Sequence, residues 1–187
     1  WIEEIRTVHG EDSPMWQARV KGRFPTGVSD AIIPLAWIEA ARGRYAEERA
    51  KGRPPPLTLG VDVARYGSDL TVIVAGIGNR FEIVHAAQGQ DLMATCGKVV
   101  EAIGKWKVPA ENVRIDDTGL GCGLTDRLRE LGHRVTAINF GAKAYDEAKC
   151  FNLRSELFWS LRERFREGAI AISDRDGKLV KDLSVLR

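Results

Sequence analysis

The sequence predicts an α/β domain: a mixed sheet, antiparallel over its first three strands and parallel thereafter, flanked by helices. Two observations carry this. Residues 57–85 hold three short apolar runs joined by connections too brief for a crossover, which implies an antiparallel meander. From about residue 91, stretches with helical apolar spacing alternate with short β-branched runs, the pattern of strands linked through helices.

Taken in order, residues 1–33 read as an irregular lead-in, punctuated by Gly10, Pro14, Gly22, Pro25 and Gly27. Pro34 suits a first helical turn, and Leu35, Ile38, Ala41 and Tyr45 share one face of the helix it opens. The run Lys51-Gly-Arg-Pro-Pro-Pro56 ends that helix as a stiff connector. Leu57–Val63, Leu70–Ala75 and Arg80–His85 are the three strands, the last two joined by Gly76-Ile-Gly-Asn79. A helix over about 91–106 carries Leu92, Cys96, Val99, Val100 and Ile103. Val113–Asp116 is a strand, followed by a glycine-rich turn and the helix Leu124–Leu131; Val135–Ile138 is another strand. Leu153, Leu157, Leu161 and Phe165 mark a long helix over about 151–167, and a short one begins near Lys178. No internal repeat is present.

A chain of 187 residues, 44% hydrophobic and 29% charged, suits one soluble domain with one core. No apolar run approaches the roughly 18 residues that span a bilayer, and no membrane role is expected. The opening Trp1-Ile-Glu-Glu4 is no secretory signal, and without an initiator Met the chain reads as a piece of something longer. Cys96, Cys122 and Cys150 form no C-x-x-C pair, and with His9, His85 and His133 they make no zinc pattern; reduced, mostly packed thiols are expected. Trp37, Trp106 and Trp159 are assigned to packing, and the Arg and Glu residues between 154 and 167 to a salt-bridged helix face. A net charge of +2 does not announce a nucleic-acid binder.

The chemistry concentrates in carboxylates. In Gly60-Val-Asp62-Val-Ala-Arg-Tyr-Gly67-Ser-Asp69, an aspartate ends an apolar strand, a costly position unless it is paired or holds a cation. Alternation can equally turn Asp62 to a solvated face. In Val113-Arg-Ile-Asp116-Asp117-Thr-Gly119-Leu-Gly121-Cys-Gly123, Asp116 stands at the carboxyl end of a central strand, where open sheets place ligands. If the two strands are neighbours, Asp62 and Asp116 meet and repel, and a divalent cation is the natural partner. Two ions about 4 Å apart would orient a water and stabilise the leaving oxygen of a phosphodiester. Asp69 reads better as a turn cap than as a ligand. Asp117 points opposite to Asp116 if the strand persists, and reads better as a cap for the next helix.

The Gly119–Gly123 turn is not a dinucleotide fingerprint, because Leu124 stands where the third glycine belongs. Its glycines are expected to allow close backbone approach beside the acids. There is neither a phosphate-binding G-x-x-x-x-G-K-[ST] loop nor a G-x-S-x-G nucleophile elbow.

Four segments, in order, resemble the large subunits of bacteriophage terminases. Trp1 through Pro25 resembles the join between their two domains. Gly60-Val-Asp62 through Asp69 resembles the first strand and hairpin of their nuclease domain. Ile115-Asp116-Asp117-Thr-Gly119-Leu-Gly121 resembles its second acidic strand, and Asn152-Leu-Arg154-Ser-Glu156-Leu-Phe-Trp159 the helix that follows.

The resemblance implies an RNase H-like fold and an endonuclease dependent on Mg²⁺ or Mn²⁺ that cuts concatemeric double-stranded viral DNA in the cytoplasm of the bacterial host. It implies that Asp62 and Asp116 are the first two catalytic acids. It places the third near the carboxyl terminus, where Asp174, Asp176 and Asp182 lack a matching context, so that ligand is expected beyond Arg187. Residues 1–56 would then be the interdomain lead-in and residues 57–187 the nuclease domain. The implied partners are DNA, an amino-terminal ATPase domain, the portal protein and the small terminase subunit. Arg65, Lys143 and Lys149 are candidate phosphate contacts, with ordinary solvated surface as the competing reading. A kinase- or actin-like ATPase, a junction resolvase and a non-catalytic module docking on DNA or a portal are the alternatives.

Overall fold

The computed structural model describes Arg6, Val20 and residues 31–64, 69–173 and 177–186. Apart from Arg6 and Val20, the terminase-like lead-in through Pro25 therefore lies outside the described residues, as do the candidate phosphate contact Arg65, Asp174 and Asp176.

The described residues form a six-stranded sheet. Its strands are β1 (Leu57–Asp62), β2 (Leu70–Ile77), β3 (Arg80–Gln88), β4 (Val113–Asp116), β5 (Thr136–Ile138) and β6 (Ala171–Ile172). They lie in the order β5-β4-β1-β2-β3-β6. β1, β2 and β3 pair antiparallel as a meander. β4 joins β1 in parallel, β5 joins β4, and β6 lies parallel to β3 at the far edge. The expected mixed sheet, antiparallel over its first three strands, is present, with one strand more than the sequence announced. Ala171–Ile172 is too short to carry a period.

The helices are α1 (Leu35–Gly43), α2 (Tyr45–Ala50), α3 (Leu92–Trp106), α4 (Gly121–Glu130), α5 (Leu153–Arg166) and α6 (Gly177–Ser184). The single helix expected after Pro34 is two, broken at Arg44, whose guanidinium reaches across to the Ile170 carbonyl. Asp91 caps α3 through the Ala94 N–H at 2.7 Å, and Asn152 and Ser155 form a reciprocal capping box on α5. α4 starts at Gly121, three residues before the expected Leu124, so the glycines after Gly119 belong to its first turn. None of the described helices is long and apolar enough to cross a membrane.

Two cores result. α3 and α4 cover one sheet face, where Leu59, Val61, Ile73, Val113 and Ile115 meet Cys96, Val99, Leu124 and Leu128. A second cluster joins α1, α5 and α6 near β6 through Ile33, Ile38, Phe165, Ile172 and Leu183. Of the cysteines only Cys96 is buried, and Cys122 is exposed, contrary to the packed role expected of it. Trp37 and Trp106 pack against the cores, but Trp159 is 56% exposed, its ring stacked under Arg162 instead.

Candidate active site

Strand alternation and register build the site. Leu59 and Val61 on β1, and Val113 and Ile115 on β4, point into the core, so Gly60, Asp62, Arg114 and Asp116 point to the opposite face. The ladder pairs Gly60 with Arg114 and Val61 with Ile115, which sets Asp62 and Asp116 side by side one step further on. Across the sheet, Asp62 pairs with Val72 of β2 and Asp116 with Ile138 of β5. The acids thus lie in one row at the carboxyl ends of adjacent parallel strands, about 5 Å apart along the hydrogen-bonding direction.

Local bonds fix each strand end. The Thr71 hydroxyl, buried on β2, accepts from the Ala64 N–H at 3.1 Å and donates to the Ala64 carbonyl at 2.7 Å, closing the hairpin just past Asp62. The Thr118 N–H donates to Asp116 Oδ1 at 2.9 Å, which orients that carboxylate. The Asp117 N–H donates to the Ile138 carbonyl, tying β4 to β5. Gly121 packs directly on the turn: a Cβ there would stand 1.7 Å from the Asp116 carbonyl oxygen, so only glycine fits. This is the close approach expected of the glycine run.

Asp62 is exposed as a residue, yet the walls around it partly desolvate its carboxyl. That desolvation, then the Asp116 charge, raise its pKa; a backbone hydrogen bond at Val63 lowers it, and the Asp69 charge adds a smaller upward push. Asp69 itself is exposed at the start of β2. Asp117 does not cap α4, whose N-cap is Leu120 without a side-chain bond. Asp117 is half-buried, with Oδ1 covered and unpartnered among the described residues.

Lys143 and Lys149 lie exposed on the loop between β5 and α5, paired with Glu147 at 3.2 Å and Asp146 at 2.7 Å. Asp182 pairs with Lys178 on α6. Among the described residues, no group of three His, Cys, Asp or Glu side chains is arranged to hold a metal ion.

The acid pair lines a cleft of about 680 Å³ whose other walls are largely apolar, with Val72, Val74, Ile138, Phe140 and Leu157 among them. Arg114 and the 88% exposed Tyr145 border it. Arg114 could have been found from V-R-I-D alternation alone. Tyr145, Phe140 and Leu157 arrive from a loop and a distant helix, and no local pattern points to them.

The pair suits a hard divalent cation. Two neighbouring carboxylates repel one another, a shared positive charge relieves that repulsion, and oxygen donors match Mg²⁺ or Mn²⁺.

No protein-family model matches the chain, and no curated protein matches it. Solved structures give the class: the fold is that of the RNase H-like nuclease domains of phage large terminase subunits. In particular, the nuclease domain of the large terminase subunit gp2 of bacterial virus Sf6 superposes with a TM-score of 0.65 at 17% identity, over 82% of this chain and 81% of that one. A mutant of that domain solved with manganese gives a TM-score of 0.60 at 16% identity, over 82% and 81%. The large terminase nuclease of thermophilic phage G20c with bound zinc gives 0.55 at 14% identity, over 70% of each chain.

Proposed function

We propose that this chain contains the nuclease domain of a viral DNA-packaging terminase, a metal-dependent endonuclease that hydrolyses phosphodiesters of concatemeric double-stranded DNA. The observation that carries the reading is the side-by-side placement of Asp62 and Asp116 at the ends of adjacent parallel strands, in a fold shared with terminase nucleases. Residues 57–187 belong to the catalytic unit, and residues 1–56 connect it to an amino-terminal ATPase domain. Portal protein, small subunit and a host-cytoplasmic setting follow from the same reading.

Asp62 and Asp116 would hold two divalent cations, Mg²⁺ or Mn²⁺, whose hard character suits carboxylate oxygens. Such ions supply a water of lowered pKa and charge stabilisation for the leaving oxygen. The chain's own part is positional. The Thr118 N–H holds one Asp116 oxygen and leaves the other free, and the Thr71–Ala64 bonds hold the end of β1. Asp69 adds negative charge near the pair, and the Asp117 N–H ties β4 to β5. Lys143 and Lys149 contact phosphates by exchanging Glu147 and Asp146 for DNA.

The test is cleavage of supercoiled plasmid with Mn²⁺. Asp62→Ala and Asp116→Ala should each lower the rate by more than ~100-fold, beyond what loss of an outer-shell partner costs. Cleavage that survives either substitution rules out the assignment.

A further inference from the structure

Arg114 lines the acid-ended cleft and is its one cation among the described residues. It stands two residues before Asp116 on the same sheet face, about 7 Å away at the rise of a β-strand. The ladder sets it between Gly60 on β1 and Thr136 on β5. Gly60 has no side chain, and a Cβ there would meet nothing within 4 Å, so the guanidinium has open space on that side. The Thr136 hydroxyl is already committed to the Glu111 carbonyl at 2.9 Å.

Among the described residues, one of Arg114's donors is used, Nη1 to the Asn112 carbonyl at 3.2 Å. No ion pair joins Arg114 to a carboxylate among the described residues, and its guanidinium turns toward Asn112, before the start of β4, rather than toward Asp116. Elsewhere Arg42, Arg127 and Arg166 each pair with a glutamate on their own helix. Lys143 and Lys149 are likewise paired.

On the reading of this cleft as a nuclease site, we propose that Arg114 grips the DNA phosphate next to the one being cut and so sets the strand's register over Asp62 and Asp116. The chemistry fits a phosphodiester. Asp62, Asp116 and Asp69 repel its charge, and a permanently charged guanidinium offsets that repulsion. Its planar fork offers two parallel hydrogen bonds to one phosphate, and the strand spacing from the acids is roughly one nucleotide step. Such a contact positions DNA without reading sequence.

The experiment measures binding of a fluorescently labelled duplex by anisotropy, with Ca²⁺ and over a range of salt. Wild type, Arg114→Gln, Arg114→Ala and Arg114→Lys are compared, beside plasmid cleavage in Mn²⁺. Arg114→Ala and Arg114→Gln should weaken binding roughly tenfold or more, and the slope of log affinity against log salt should fall by about one. Arg114→Lys should restore the slope but only part of the affinity, because a point charge replaces the fork. Arg114→Gln keeps length and polarity, so a shared loss with an unchanged melting temperature excludes misfolding. Wild-type affinity and slope in Arg114→Gln overturn the proposal, while loss of cleavage in Asp62→Ala still upholds the nuclease reading. Undiminished cleavage in Asp62→Ala overturns that reading and this proposal together.

Discussion

Asp62 meets partial desolvation and two like charges, Asp116 and Asp69, and all three disfavour its ionised form. Its folded pKa therefore lies above the unfolded value of 3.8. Between those two values the folded state binds the proton more tightly, so stability falls as pH rises through that window. Below 3.8 both states are protonated and the penalty vanishes; above the folded pKa it is fully present. Asp62→Asn should thus raise the melting temperature of the metal-free protein at pH 7, with the gain shrinking to nothing in acid. Mn²⁺ should reverse the order, because a cation that binds only the folded wild type stabilises it by mass action. Scanning fluorimetry across pH, with and without Mn²⁺, measures both. An Asn variant less stable than wild type at pH 7 without metal would contradict the account of Asp62.

At the scale of elements, the buried Thr71 hydroxyl adds to the β1–β2 ladder in holding the end of β1 beyond Asp62. Thr71→Val keeps the shape and the β preference but strands the Ala64 N–H and carbonyl that Thr71 served. It should cost about 1–3 kcal/mol in urea denaturation, with Thr71→Ser recovering most of it. No change in the Thr71→Val midpoint would mean that water replaces the hydroxyl. The hairpin also shows what a sequence can reveal. The apolar runs of β1, β2 and β4 and their terminal aspartates are local features, and alternation puts Asp62, Arg114 and Asp116 on one face once the strands are neighbours. Other features depend on contacts between distant segments. Gly121 opens α4 because the Asp116 carbonyl leaves no room for a Cβ, and the first helix breaks where Arg44 reaches Ile170. Asp117 looks like a helix cap in sequence, but Leu120 takes that place and the Asp117 N–H bonds to the Ile138 carbonyl of β5.

For the whole molecule, stability and chemistry are divided between two cores. The α3–α4 core lies directly beneath β1 and β4 and backs the acid pair. The other gathers α1, α5 and α6 near β6, with β2 and β3 standing between β6 and the acid-bearing β1. Ile38, on α1, is fully buried there against side chains more than a hundred residues later, such as Phe165 and Ile172. No local pattern could disclose that partnership. Ile38→Ala removes three buried carbons and leaves a void that α5 and α6 fill only in part, so it should cost about 2–5 kcal/mol. Because the loss falls outside the α3–α4 core, Mn²⁺ should raise the melting temperature of Ile38→Ala by as much as it raises wild type. Cleavage well below the melting range should likewise be unchanged. Parallel melts and cleavage assays separate the outcomes. A variant that loses its response to Mn²⁺ while remaining folded would show that the second core governs the acid pair, and that the two cores act as one.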